Sequence, residues 1–334
     1  MTALPKVAVI GTGGTISGIG ASSLDLYDYG TDGRFMHVDE LLARVPELSQ
    51  AAEIVPIPYK NINSTGVGPE DWLALAALTR RAVADTPDLA GIVITHGTAS
   101  LEETAYFLQL TIKVAVPVVV VGAMRPASAL GADGGMNLFN AVRVAASTQA
   151  RGLGVLVVLN DEINAARDVT KTSNFRVHTF QSRDFGMLGT AEGDGIAIYR
   201  RPVRRGAPDT EFETEGLAVL PRVDIIAAYG GADGALVEAA VAAGARGLVS
   251  AGFPAGAPSP LQKEALLRAV AGGVVVVQSS RAGSGRVSGS PAAMRRSGFV
   301  AGDTLTPQKA RVLLMLALTR TSDRGEIERM FATY

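Results

Sequence analysis

Cysteine is absent from this chain of 334 residues. That excludes disulfides, thiolate nucleophiles and thiolate metal sites together. Histidine is almost as scarce, and His37, His96 and His178 never stand at metal-ligand spacing, so no metal and no cofactor is expected. Charge of one sign is lacking too: the formal net charge is −1, which leaves no global field to draw nucleic acid or an anionic membrane. No uncharged apolar run reaches the roughly 18–20 residues that span a bilayer. The first six residues show no charged stretch ahead of an apolar one, so no signal peptide is read there. A cytoplasmic protein without nucleic-acid or membrane partners is the expectation.

What is present is a soluble, globular composition, 47% hydrophobic and 19% charged. Short β-branched runs at 7–11, 91–95, 117–121, 154–159, 223–228, 247–251 and 273–278 are near-continuously apolar. Such runs suit parallel strands covered on both faces. Helical patterns fall between them, at 69–83, at 100–112 with Ser100 and Glu103 as a capping box, and at 306–318 with Thr306 ahead of Pro307. The alternation predicts an α/β fold: a larger N-terminal domain with a mostly parallel sheet flanked by helices, and a smaller C-terminal α/β domain. The pattern lapses over 200–219, where RRPVRRGAPD carries Pro, Gly and clustered arginine without a period. This stretch reads as a linker with a solvated face between domains at 1–199 and 220–334.

Ligands of α/β sheets bind beyond the carboxyl ends of the strands, and polar residues cluster at four such places. The run VAVIGTGGTIS at 7–17 ends in Gly11, Gly13 and Gly14 interleaved with Thr12 and Thr15. It reads either as a nucleophile loop or as a phosphate-binding turn, although the glycines do not make G-x-G-x-x-G. The segment THGTASLEE at 95–103 places Thr98 just before a helix start, where developing negative charge is favoured; helix capping is the alternative. His96 reads as a hydrogen-bonded structural residue. In RDVTK at 167–171, Lys171 is a base if burial lowers its pKa, and otherwise a surface lysine. In GAMRP at 122–126 and ADGGMNLFN at 132–140, Arg125 and Asp133 either order the loop by a charge-assisted bond or are simply solvated.

Taken together these motifs resemble the bacterial-type asparaginase/glutaminase family, along essentially the whole chain. The resemblance rests on TGGT at 12–15, THGT at 95–98 with LEETAYFL at 101–108, GAMRP at 122–126, ARDVTKT at 166–172 and TPQKARVLL at 306–314. It implies hydrolysis of a side-chain carboxamide without cofactor or metal, a small-molecule amide substrate, and a homotetramer built as a dimer of dimers. By motif, Thr15 looks like the nucleophile of an acyl-enzyme and Tyr27, in YDYG at 27–30, like its activating partner. Thr98 and Lys171 look like the pair that moves a proton and orients water, with the backbone of Thr98 and Ala123 facing the amide.

The residues that grip the amino-acid part of the substrate depart from the family. Ala99 stands where the resemblance places an Asp that holds the substrate α-ammonium and supports the Thr98–Lys171 pair. The family's Ser-Gln pair falls at Tyr59 and Lys60. FPAGA at 253–257 lacks an Asn, and SPAAM at 290–294 lacks the acidic residue that a neighbouring subunit contributes. An ammonium buried without a counter-charge costs several kcal/mol. The expectation is therefore an amidohydrolase whose substrate is not free asparagine, with Tyr59, Lys60, Ala99 and Ala123 lining the substrate site and an anion pairing with Lys60. The alternatives are an ordinary asparaginase or glutaminase with compensating groups, and a non-catalytic ligand-binding relative.

Overall fold

The structure is a computed structural model that describes residues 3–31 and 33–334. The chain divides into two compact units, residues 1–215 and 216–334.

The first unit is organised around one eight-stranded sheet. Its elements in chain order are β1 (Lys6–Gly11), the short pair β2 (Gly18–Ile19) and β3 (Arg34–Phe35), α1 (Val38–Ala43), α2 (Leu48–Ala51), β4 (Glu53–Pro58), α3 (Pro69–Asp85) and β5 (Leu89–Thr95). Then follow α4 (Leu101–Thr111), β6 (Val118–Val121), α5 (Gly134–Ala146), β7 (Val155–Leu159), β8 (Glu162–Ala165), the hairpin β9 (Thr170–Lys171) and β10 (Phe180–Gln181), β11 (Gly189–Glu192) and β12 (Gly195–Ile198). The strand order is β12-β11-β8-β7-β6-β5-β1-β4. From β4 to β7 neighbours run parallel, and β8, β11 and β12 extend the sheet antiparallel. The central strands are apolar on both faces because helices cover both: Val7, Val9, Val93, Val119 and Val121 pack with α5 residues such as Leu138 and Val142. Burying such side chains supplies about 1.5–3 kcal/mol each.

Because β4 joins one side of β1 and β5 the other, the chain reverses direction of growth between β1 and β5. That is the switch point at which open α/β sheets bind ligands, outside the carboxyl ends of the strands. Gly11 at the end of β1 lies level with Thr95 at the end of β5, so the two Thr-bearing loops leave the sheet side by side.

Two local expectations change. Ser100 is the residue before α4, but its hydroxyl caps nothing in that helix; it donates instead to the Ser64 carbonyl at 2.6 Å. Residues 205–215, expected in a linker, belong to the first unit. Phe212 is fully buried there, the Ala207 N–H donates to the Gln109 carbonyl, and Thr214 Oγ1 accepts from Arg80. The sparse apolar content of this stretch hid the one aromatic that anchors it.

The second unit has a four-stranded parallel sheet of order β13 (Val223–Ala227), β14 (Gly247–Gly252), β15 (Val275–Ser280) and β16 (Val300–Ala301). Helices α6 (Ala235–Ala242), α7 (Pro260–Ala271), α8 (Ala292–Ser297), α9 (Pro307–Ala317) and α10 (Arg324–Thr333) complete it. Its core includes Val237, Leu248, Leu266, Val276 and Phe299.

Candidate active site

After β1 the backbone turns through Gly13 and Gly14, at φ 93° and 80°. Non-glycine residues rarely adopt such angles. Space matters as much as angle at Gly14, since a Cβ there would lie 2.3 Å from the Gly97 Cα and N. The two loops are thus in direct backbone contact. A Cβ on Gly97 would in turn strike Ser64 Oγ at 2.6 Å, so the loop after β4 closes against the same point. Thr12 ties β1 to β5 by donating its hydroxyl to the Thr95 carbonyl at 2.7 Å. Thr15 follows the glycines with its hydroxyl half-buried, and Thr15 Oγ1 shares a hydrogen bond of 2.8 Å with Tyr29 Oη.

This corrects one sequence expectation. Tyr27 is not the partner of Thr15: the residue is 70% exposed and its ring packs on Phe175, with centroids 5.1 Å apart. The cause is a turn that composition does not reveal. Asp25 Oδ1 accepts the N–H groups of Tyr27, Asp28 and Tyr29 at 3.3, 2.9 and 3.2 Å, which winds residues 28–30 into a short 3₁₀ turn and sends the second tyrosine, not the first, to Thr15.

Across the Gly14–Gly97 contact lies a second pair. Lys171 Nζ donates to Thr98 Oγ1 at 2.8 Å. Burial lowers the Lys171 pKa below the ordinary 10.5, because an ammonium loses hydration there. Deprotonated, the same amine accepts the Thr98 proton. Glu102, in the first turn of α4, holds the strand that carries Lys171: its Oε1 accepts from Thr170 Oγ1 at 3.0 Å and lies 3.5 Å from the Lys171 N.

His96 sits behind these groups, fully buried. Its Nδ1 faces the Gly97 carbonyl at 2.8 Å, so Nδ1 carries the proton and Nε2 accepts from Thr104 Oγ1 at 2.9 Å. Thr104 accepts in turn from Trp72 Nε1 at 3.0 Å. Burial pushes the His96 pKa down to about 4. It is a neutral structural residue, as the sequence suggested.

Ala123 is fully buried beyond β6. Its loop is ordered by Asp133, but not through a guanidinium. Asp133 accepts the backbone N–H groups of Met124 and Arg125 at 2.9 Å each, while Arg125 Nη1 donates to the Gly131 carbonyl. Among the described residues no cluster of His, Cys, Asp or Glu could hold a metal ion.

Two hydrogen-bonded pairs, Thr15 with Tyr29 and Thr98 with Lys171, therefore flank one backbone contact at the sheet's switch point. Known proteins share this frame. A family model described as "Asparaginase, N-terminal" matches residues 6–204, and one described as "Glutaminase/Asparaginase C-terminal domain" matches residues 222–331. The chain belongs to the asparaginase family. As a member it is an amidohydrolase, a hydrolase of C–N bonds other than peptide bonds. It is 42% identical to L-asparaginase 2 of Bacillus subtilis (strain 168), over 99% of this chain and 87% of that one. It is also 42% identical to L-asparaginase 2 of Escherichia coli (strain K12), over 99% and 94%. The glutaminase-asparaginase of Pseudomonas fluorescens biotype A is 40% identical over 100% and 91%. A crystal structure of a probable cytoplasmic L-asparaginase from Campylobacter jejuni superposes with a TM-score of 0.93 at 40% identity, covering 99% of this chain and all of that one.

Within this asparaginase-family frame, the positions expected to meet the substrate divide. Ala99 is exposed beside Thr98. Its N–H donates to Ser64 Oγ at 3.1 Å. Tyr59 and Lys60, by contrast, turn to α3: Tyr59 Oη and Lys60 Nζ both donate to Asp71 Oδ1, at 2.8 and 2.7 Å. Burial and the Asp71 carboxylate push the Tyr59 phenol up to about 12, and the bond to Asp71 raises the Lys60 pKa. The expectation that Lys60 offers a free cation to an anionic substrate is corrected: Asp71 already matches its charge. The residue this loop does bring to the site is Ser64, which sequence reasoning passed over. Its signal was a small polar residue in a turn-forming Asn-Ser-Thr run, 63–65, too common a pattern to single out before the contact with Gly97 is known.

Proposed function

We propose that Thr15 is the nucleophile of a carboxamide hydrolysis that runs through an acyl-enzyme. The observation that carries this reading is the 2.8 Å contact between Thr15 Oγ1 and Tyr29 Oη, set against the Thr98–Lys171 pair. A threonine hydroxyl is a weak nucleophile until a neighbour takes its proton, and Tyr29 is the group placed to do so. Thr15 Oγ1 attacks the amide carbon, the oxyanion forms among backbone N–H groups of the glycine loops, and collapse expels ammonia with a transferred proton. Water then attacks the ester. Lys171, acting through Thr98, takes the water's proton and releases it again as Thr15 leaves, so that the Thr15 hydroxyl is restored and the carboxylate product forms.

For the substrate, we infer an amide that carries no free α-ammonium. The support is Ala99, exposed next to Thr98 with no carboxylate of its own. The names of relatives at about 40% identity favour free asparagine or glutamine as the second reading. By the same likeness we take the chain to be cytoplasmic and to assemble as a homotetramer, the Campylobacter jejuni protein supporting the first.

An ammonia-release screen over asparagine, glutamine, N-acetylasparagine and succinamate separates the readings. Thr15→Ala is expected to abolish turnover of whichever amide is used, and Tyr29→Phe to lower kcat by about 100-fold or more with a smaller change in KM. Ala99→Asp is expected to raise kcat/KM for asparagine at least about tenfold, since one restored charge contact is worth more than about 1.4 kcal/mol. Full activity in Thr15→Ala sinks the nucleophile assignment. Efficient turnover of asparagine by the unaltered chain sinks the substrate inference alone.

A further inference from the structure

The segment 20–31 carries Tyr29 to Thr15, and the hairpin of β9 and β10 carries Lys171 to Thr98. A side-chain contact between Tyr27 and Phe175 joins these two pieces. Tyr27 and Phe175 are 70% and 60% exposed, yet their rings meet at 5.1 Å between centroids with an interplanar angle of 54°. That is the tilted geometry aromatic quadrupoles prefer.

Each ring stands on backbone that is tied locally. Asp25 accepts the N–H groups of Tyr27, Asp28 and Tyr29 through one oxygen, and its other oxygen accepts from Ala21 at 3.2 Å. Tyr27 and Tyr29 thus move as one unit. At the hairpin, Ser173 N–H donates to Thr179 Oγ1 at 2.8 Å, that hydroxyl donates to the Ser173 carbonyl at 2.7 Å, and the Thr172 N–H donates to the Thr179 carbonyl at 2.8 Å. Ser173 Oγ also accepts from the N–H groups of Phe175 and Arg176, at 3.4 and 3.3 Å. Displacing Phe175 therefore pulls on the strand that ends at Lys171.

We propose that Tyr27 and Phe175 are positioning residues: their ring contact is a clasp that fixes the Thr15–Tyr29 pair relative to the Thr98–Lys171 pair. The clasp rests on the proposal that both pairs act in one reaction. It gives the largely exposed Tyr27 ring a task that needs the ring and not the hydroxyl.

A double-mutant cycle on the full chain tests this with Tyr27→Ala, Phe175→Ala, their combination and Tyr27→Phe, assayed with the best amide from the screen. Each alanine variant is expected to lower kcat by about 2- to 10-fold, the range of one aromatic pair, with KM changed less than about twofold. The double variant is expected to be no worse than the weaker single one, and Tyr27→Phe to retain kcat. Additive losses, a defect in Tyr27→Phe as large as in Tyr27→Ala, or an effect on KM alone overturns the clasp. Hydrogen exchange reads the same contact without turnover, and so independently of the Thr15 assignment. Removing either ring is expected to speed exchange in both segments, 20–31 and 172–179; loosening confined to the altered segment overturns the proposal.

Discussion

Lys171 is held by burial in a state unlike that of a surface lysine, and in the proposed reaction its bond to Thr98 serves only when the amine can accept a proton. With its pKa lowered from 10.5 by burial, the neutral form becomes populated at a pH below the ordinary lysine range. The sign follows directly: as pH falls, Lys171 takes up a proton, can no longer accept one from Thr98, and turnover drops. The kcat/KM profile is expected to rise with pH and level off, with its midpoint below 10.5. Lys171→Arg, which stays charged, is expected to be low by about 100-fold or more throughout. A profile that leaves the unaltered chain flat where Lys171→Arg is also active removes the lysine from the reaction. That Thr15, Thr98 and Lys171 lie near one another was legible in the sequence, because each stands in a recognisable motif beyond a strand of the sheet. The choice between Tyr27 and Tyr29 was not, because the two differ by only two positions and the Asp25 turn decides which one faces inward. Ser64 was illegible for a similar reason, since its place depends on a contact with a loop more than thirty residues away in sequence.

The elements were easier to foresee than their junctions. Runs of valine and isoleucine marked β1, β5, β6 and β7 to within two residues, because strands buried on both faces leave little freedom in composition. Their ends depend on three-dimensional neighbours instead, as Ser100 shows by bonding to Ser64 rather than to its own helix. The Gly14–Gly97 contact is the sharpest of these junctions. Gly14 has φ 80° and ψ −178°, a region closed to side chains, and no room for a Cβ beside Gly97. Gly14→Ala is therefore expected to cost about 1–3 kcal/mol in backbone strain alone, and more once the two loops are forced apart. Because those loops carry Thr15 and Thr98, kcat is expected to fall further than the lost stability explains. Thermal unfolding alongside ammonia release checks this; a variant with unaltered kcat would show that the spacing of the two loops is not needed for the reaction.

For the molecule as a whole, the scarcity of histidine makes one group stand out in the pH dependence of stability. Unfolded, His96 titrates near 6.5; buried in the first unit it titrates at about 4. Between these values the unfolded chain binds a proton that the folded chain refuses, so stability is fully present above 6.5 and is lost as pH falls toward 4. At pH 5 the loss from this one residue is about 2 kcal/mol relative to pH 8. Carboxylates such as Asp25 and Asp71 titrate mostly at lower pH, their pKa values being lowered from 3.8 by hydrogen bonds that outweigh their burial. The chain's single tryptophan reports on the same region, since Trp72 donates to the Thr104 hydroxyl that donates to His96. Its fluorescence follows the unfolding of the first unit by denaturant without interference from the second. His96→Gln is expected to be less stable at pH 8, having lost the bonds to Gly97 and Thr104, yet to lose about 2 kcal/mol less than the unaltered chain between pH 8 and pH 5. Equal losses in the two proteins would mean that His96 charges in the folded state, and with it that the hydrogen-bonded chain from Trp72 to Gly97 opens beneath the loop that carries Thr98.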